Sequence, residues 1–400
     1  MKLDQLSGDV HLTYCTNIHA GQSWQDIRTS LDEHVPAIKS AVAPSQPMGI
    51  GLRLSGAAAA TVRQPEALAA FRDQLSVLGA YVFTINAFPF GPFHGVRVKE
   101  HVYLPDWRER ERVAFTADSA AVLAGILPEG LEGSISTVPG AFKPNGRSRE
   151  AVASMTRNLM MAVADLVDVK RRTGKHIALA LEPEPCCFLE TTDESVAFFE
   201  GELLKPEALD TLSTIVGVDR TEAERLLRRH LGICYDVCHG AVEYEDIVAE
   251  LDRLLAAGIA IPKIQLSAAM RVPAMRKDLV AAVMKYNDGV YLHQSIVRRD
   301  DNLARHVDLP DAVAAFGEGQ ADGEWRIHCH VPVFLADLGE ISSTRSDLVK
   351  TLAALRQKTR SSHLEVETYT WDVLPDQLRA GSKSGDIARE IAFCRQELVG

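Results

Sequence analysis

No run in this chain of 400 residues approaches the roughly 18 to 20 apolar residues that a bilayer span requires. Its first residues, MKLDQLSGDVHLTYCTNIH, lack the apolar core of a signal peptide. A soluble, cytoplasmic protein without direct membrane insertion is therefore expected. Basic charge is also scarce: 43 Lys and Arg stand against 54 Asp and Glu, a formal charge of −11, and like charges nowhere gather into a long block. Nucleic acid is not an expected partner, because no basic stripe is present to neutralise its phosphates. Cys234 and Cys238 lack zinc-knuckle spacing and no second pair follows them, so the seven cysteines are expected to be reduced and mostly to pack as small apolar residues. No glycine-rich phosphate fingerprint follows the first strand signal, which argues against a dinucleotide fold. Repeats, linkers and low-complexity segments are missing too.

What is present is alternation. Short apolar runs of strand character, HLTYCTNIH, GIGLRLS, YVFTIN, LEGSISTV, HIALALE, LGICYD, IPKIQLS and HLEVETYTW, are separated by amphipathic helical stretches. SWQDIRTSLDEHVPAIKSAV starts at a capping Ser23, and PEALAAFRDQLSVLG carries Pro65 near its start and Gly79 after its end. A long helix runs through Val152, Met155, Leu159, Val163 and Leu166 to Gly174. Eight βα units predict one closed (β/α)₈ barrel over residues 1–400. Two connections are too long for plain turns. AFPFGPFHGVRVKEHVYLPDW after the third strand is rich in aromatics and reads as a wall or lid over a site. Residues 271–338, polar and hairpin-like, read as an enlarged loop after the seventh strand.

Six of the apolar runs end in polar residues: His19, Asn86, Glu182, Asp236, Gln265 and Glu367. Active sites of parallel barrels open at the C-terminal ends of the strands, so these positions converge if the barrel forms. Glu182 closes a wholly apolar strand, where a carboxylate is costly unless paired or metal-bound; capping the next helix or bridging to an arginine is the plain alternative. Asp236 is followed by His239, with a simple helix cap as its alternative role. Lys263 and Gln265 flank Ile264 and face one side, as Glu365 and Glu367 do around Val366, so a cation or basic group must sit between the two glutamates. His328 and His330 share a face if RIHCHVPVF is extended, and with His293 they supply imidazoles that the seventh strand lacks.

These residues resemble the xylose isomerase-like barrel superfamily, which includes ketose 3-epimerases, inosose-processing enzymes and endonuclease IV. In the epimerase branch Glu, Asp, His and Glu from the last four strands hold one divalent metal. The resemblance places Glu182 on the first ligand, Asp236 on the second, His239 on a substrate-contacting histidine and Glu367 on the last ligand. Gln265 stands where the family has histidine, and Arg271 keeps the family's arginine six residues later. A closer resemblance covers nearly the whole chain and is to the Ebo-type metabolite traffic proteins. It is carried by LTYCTNIHAG, INAFPFGPFHGVRVKEHVYLPDW, EGSISTVPGAFKP, LALEPEPCCFLETT, HCHVPVF and HLEVETYTWDVLP. That family is associated with export or processing of a secondary metabolite.

The expectation is an isomerase or epimerase of a sugar, polyol or cyclitol. One divalent metal (Mn, Mg, Co or Zn) held by Glu182, Asp236, Gln265 and Glu367 would polarise a carbonyl. As in the resembling epimerases, Glu182 and Glu367 would exchange the neighbouring proton. His239, Arg271 and His330 would orient hydroxyls, and Asn86, His94 and Lys99 would close over the substrate. The rivals are a binding or carrier protein on the same barrel, and a metal-dependent hydrolase or lyase. Such barrels often form homo-oligomers, and no stretch of this sequence marks an interface.

Overall fold

The computed structural model describes residues 1–92, 94–371, 374 and 381–400. Phe93 of the aromatic connection and part of the HLEVETYTWDVLP string lie outside the described residues.

Eight parallel strands form the frame. In chain order they begin with β1 (His11–Tyr14), β2 (Met48–Arg53), β3 (Ala80–Asn86), β4 (Gly133–Thr137) and β5 (Ile177–Leu181). β6 (Leu231–Asp236) and β7 (Ala260–Leu266) follow. An inserted sheet comes next, built from β8 (Met270–Val272), β9 (Ser295–Arg299), β10 (Asn302–His306), β11 (Glu324–Ile327) and β12 (Ser342–Ser343). The last barrel strand is β13 (His363–Val366). The barrel order is β1, β13, β7, β6, β5, β4, β3, β2, and a parallel bridge between Cys15 and Gly51 joins its two ends. This is the expected (β/α)₈ barrel.

The elements form where the residue chemistry calls for them. Helix Trp24–Val42 begins with a capping box, in which Asp26 N donates to Ser23 Oγ (3.1 Å) and Ser23 N to Asp26 Oδ2 (3.0 Å). Helix Pro65–Leu78 opens on proline and stops at Gly79, whose φ of 59° is left-handed. Helix Arg149–Thr173 buries Met155, Leu159, Val163 and Leu166 completely against the barrel, as its periodicity predicts, and ends at Gly174. All seven cysteines are buried and unbridged. Among the described residues no helix is long and apolar enough to cross a membrane.

The stretch between β7 and the helix Arg345–Gln357 holds a five-stranded antiparallel sheet in the order β10, β9, β11, β8, β12. Its β11 stops at Ile327, one residue before the histidines. Cys329 N donates to Ile327 O at 2.8 Å, a three-residue turn that breaks the extended backbone expected for RIHCHVPVF. Both rings nevertheless point to one place, because the turn and not strand alternation aims them.

Candidate metal centre

Glu182 directly follows β5, Asp236 ends β6, and Glu367 directly follows β13, so three distant pieces of chain deliver carboxylates to one end of the barrel. One oxygen from each lies within 4.8 Å of the others, and all three residues are at most 4% exposed. Each carboxylate is anchored differently. Glu367 Oε1 accepts Nδ2 of Asn17 (2.6 Å) and Nδ2 of Asn86 (3.1 Å). Asp236 Oδ1 accepts Ser267 Oγ (2.7 Å) and the His239 amide (3.1 Å). Glu182 Oε2 and Asp236 Oδ2 are buried with no hydrogen-bond partner.

Gln265 lies level with Asp236 in the β6–β7 register. Its side chain is fully buried, and neither amide atom has a partner. A buried amide without partners costs about 1 to 3 kcal/mol, so the position calls for something to bind. Burial, and next the Asp236 charge, hold the Glu182 carboxyl well above its ordinary range; burial, then Glu182 and Asp236, do the same for Glu367. Burial also works against the Asp236 charge, but His239, His330 and Ser267 outweigh it and hold that carboxyl below its usual value. Three clustered carboxylates, an amide oxygen and unsatisfied inward-facing atoms form a donor set suited to a divalent cation.

Beneath this layer is a fixed positive charge. Lys263 Nζ meets Glu365 Oε1 at 2.6 Å, with both side chains inaccessible to solvent, and donates to Ser136 Oγ at 3.2 Å. Burial opposes the ammonium, but Glu365, Cys234, Cys15 and Glu182 together hold its pKa above the ordinary lysine value. Of the two glutamates on this face, Glu365 thus has its basic partner in Lys263, and Glu367 is held by Asn17 and Asn86 instead. Room for Glu365 comes from Gly51, where a Cβ would stand 1.5 Å from Glu365 Oε2 and 2.8 Å from Tyr14 O. The glycine that closes the barrel against β1 also makes space for the floor of the site.

Three imidazoles stand beside the carboxylates. His239 follows β6, and His328 and His330 come from the turn after β11. His239 Nδ1 donates to Pro183 O (2.8 Å) and His330 Nδ1 to Glu367 O (2.7 Å). His328 Nδ1 donates to Gln294 Oε1 (2.8 Å), and Gln294 Nε2 in turn donates to Glu184 Oε1 (3.0 Å) and Pro185 O (3.1 Å).

The cavity above is walled mainly by apolar and aromatic side chains, including Phe88, Val98, Val102, Tyr103, Tyr291 and Tyr369, with Asn17, Asn86, Glu182, His239, His330 and Glu367 at its base. The aromatic connection closes it by docking on the insertion. Val98 N and Lys99 N donate to Val290 O (3.0 and 3.1 Å), and Lys99 Nζ pairs with Asp308 at 2.6 Å. Lys99 lines the cavity as expected, with its ammonium engaged by Asp308. The structure does not bring two other expected contacts there. Arg271 lies on β8 and spends its guanidinium on Glu324 (2.9 and 3.2 Å), and neither it nor His94 lines the cavity. His293 is buried with Asp288 and Asp308 acting on it and is also absent from the lining. His19 stacks on His34 with centroids 4.1 Å apart, away from the carboxylates.

Asn17 is a cavity residue that pattern alone misses: it follows β1 in a short turn, Thr16–Ile18, with no sequence sign that it holds Glu367. Glu184 is similar. Pro183-Glu184-Pro185 signals a strand stop, whereas the fold buries Glu184 to accept Tyr103 Oη at 2.7 Å and Gln294 Nε2.

No sequence family and no curated protein matches the chain. Solved structures that it resembles include a D-tagatose 3-epimerase-like protein (12% identity, 98% of this chain and 100% of that one, TM-score 0.48). A xylose isomerase domain protein from Planctomyces limnophilus is also similar (14%, 87% and 88%, 0.46). So is the IolI protein with a bound zinc atom (11%, 98% and 98%, 0.46). These are xylose isomerase-like barrels, and at such identities and scores they carry nothing about what this chain acts on.

Proposed function

We propose that the protein binds one divalent metal ion through Glu182, Asp236, Gln265 and Glu367 and isomerises or epimerises a sugar, polyol or cyclitol by moving the proton next to a carbonyl. The observation that supports this reading is the convergence of three buried carboxylates, two of them with an unpartnered oxygen, beside the register position of Gln265, whose buried amide is also unpartnered. The resemblance to Ebo-type proteins favours a substrate from secondary-metabolite processing.

The cation, when bound, supplies Lewis acidity that lowers the cost of removing a proton beside the carbonyl. The chain's own residues do the rest. Glu182 and Glu367 take up and return the proton, a task suited to carboxyls whose burial favours the protonated form. Asn17 and Asn86 hold the Glu367 carboxylate at one orientation, while His239 and His330 face the substrate's hydroxyls from the other side of Asp236. The aromatic walls exclude water, and the Lys263–Glu365 pair below keeps the net charge of the site from rising further. A carrier that binds the same metabolite without turnover is the second reading, and the apolar walls around so few polar contacts favour it.

The test is solvent exchange. Metal-loaded protein incubated in D₂O with a panel of ketoses and inososes is expected to incorporate deuterium at the carbon beside the carbonyl. Glu367→Gln should slow this by about 10² to 10⁴-fold. Stoichiometric metal with no incorporation into any candidate, or into the metabolites of a producing-cell extract, would leave the carrier.

A further inference from the structure

We propose that the substrate is not a free sugar or cyclitol but one that carries an apolar substituent, aryl or alkyl, which the upper cavity receives while the oxygenated ring meets the carboxylates. The oxygenated half rests on the proposed function, and the apolar half on the cavity wall alone.

Polar atoms with bonding capacity to spare lie at the base. Glu182 Oε2, Asn17 Oδ1 and His330 Nε2 are buried there without partners. Hydroxyls of a ring set on this layer therefore find both donors and acceptors. Higher up, the polar side chains that line the cavity are already engaged. Lys99 Nζ pairs with Asp308 at 2.6 Å. Tyr103 Oη donates to Glu184 Oε1 at 2.7 Å, and the same oxygen accepts Gln294 Nε2 at 3.0 Å. Asn86 gives its Nδ2 to Glu367, and its Oδ1 accepts the Phe88 amide at 3.2 Å.

The rest of the described wall is mostly carbon. Val98, Val102, Tyr291 and Tyr369 pack into an apolar cluster of their own, with the two tyrosine rings edge to face at 5.3 Å. Phe88 and Leu292 continue this surface around the cavity. Tyr369 joins the two levels, since its ring lies 4.8 Å from that of His330. An apolar group bonded to a ring held at the base thus reaches the cluster directly. A hydroxyl placed against these side chains loses its water and gains no replacement bond, which is costly. An alkyl or aryl group instead gains by leaving water, and the aromatic walls offer edge and face contacts to a flat one.

The test takes the metal-loaded full chain and four probes that share one sugar head: methyl, butyl, hexyl and phenyl glucosides, with binding read by calorimetry. Each buried methylene is worth about fourfold in affinity, so hexyl glucoside should bind at least about 10-fold tighter than methyl glucoside. A comparable gain for phenyl glucoside assigns the substituent as aryl, and a gain for the alkyl chains alone assigns it as alkyl. Val102→Asp and, independently, Phe88→Ser should remove the gain and leave methyl glucoside binding unchanged, with circular dichroism confirming that each variant is folded. Equal affinity across the series, a gain that survives both substitutions, or no binding by any of the four overturns the apolar subsite. Solvent exchange on free sugars with no gain from a tail overturns this inference and leaves the proposed function standing. A tail-dependent gain without solvent exchange supports the subsite and overturns only the activity.

Discussion

Glu365 is the residue that makes the floor of the barrel legible. A carboxylate at zero exposure needs a counter-charge, and Lys263, two residues along the neighbouring strand from its register partner Gln265, provides it at 2.6 Å. Removing one partner of such a pair strands the other charge, which costs about 3 to 5 kcal/mol. Lys263→Met is therefore expected to lower the unfolding free energy from urea titration by that amount, while Lys263→Met combined with Glu365→Leu should recover much of the loss. An unchanged unfolding free energy in the single variant would show that the contact is not an ion pair. At this scale the sequence showed which residue types alternate on β7 and β13. It did not show that Lys263 reaches Glu365, since that contact joins residues 102 positions apart and depends on strand register.

At the scale of elements, the connection after β3 and the inserted sheet work as one cover. Their tie is Lys99 Nζ to Asp308, backed by the two amides on Val290 O. Lys99→Met removes the ion pair and leaves the backbone bonds, so the cover should open more often while the barrel keeps its stability. Stopped-flow chelation should then strip the bound metal faster than in the parent, with the unfolding free energy changed by about 1 kcal/mol or less, since Asp308 keeps the His293 and Leu309 amides as donors. Equal stripping rates would mean that the cover does not gate the site. The length and aromatic content of this connection announced a wall. The partner it docks on was hidden, because the inserted stretch shows its strands only as short polar-apolar pieces whose pairing is antiparallel and non-local.

For the molecule as a whole, the titration of buried groups sets the pH at which the metal-free protein is most stable. Burial pushes Glu184 and Glu390 up to about 7 and Glu243 up to about 8, and holds Glu182 and Glu367 well above their ordinary values. Above their unfolded value of about 4.5, the folded state therefore holds protons that the unfolded chain has released, and stability falls as pH rises through the folded values. Burial acts oppositely on histidines, pushing His230 down to about 4 and His363 to about 3. Their contribution grows with pH and is complete above about 6.5. The buried amino terminus, pushed down to about 5, is one group opposing the acids up to about pH 8. Stability without metal should peak near pH 6.5 and decline toward pH 8. A divalent ion replaces the protons on Glu182 and Glu367 and should flatten that decline. Urea unfolding at pH 5, 6.5 and 8, with and without EDTA, checks this, and a metal-free protein more stable at pH 8 than at 6.5 would contradict it.

The barrel was readable from sequence because its determinants are local: apolar runs of strand length, helices with caps at Ser23 and Gly79, and a periodic face through Leu159 all act within a few residues. Glu182, Asp236 and Glu367 were readable because each ends or directly follows such a run, and strand ends of a parallel barrel converge wherever they lie in the chain. Only the tertiary structure decided the rest. Where the His328 and His330 rings point, that Asn17 steadies Glu367, that Arg271 turns to Glu324, and that Gln265 is left without a partner all depend on register and on a turn after β11. These are relations between segments far apart in sequence, where no local periodicity records the distance.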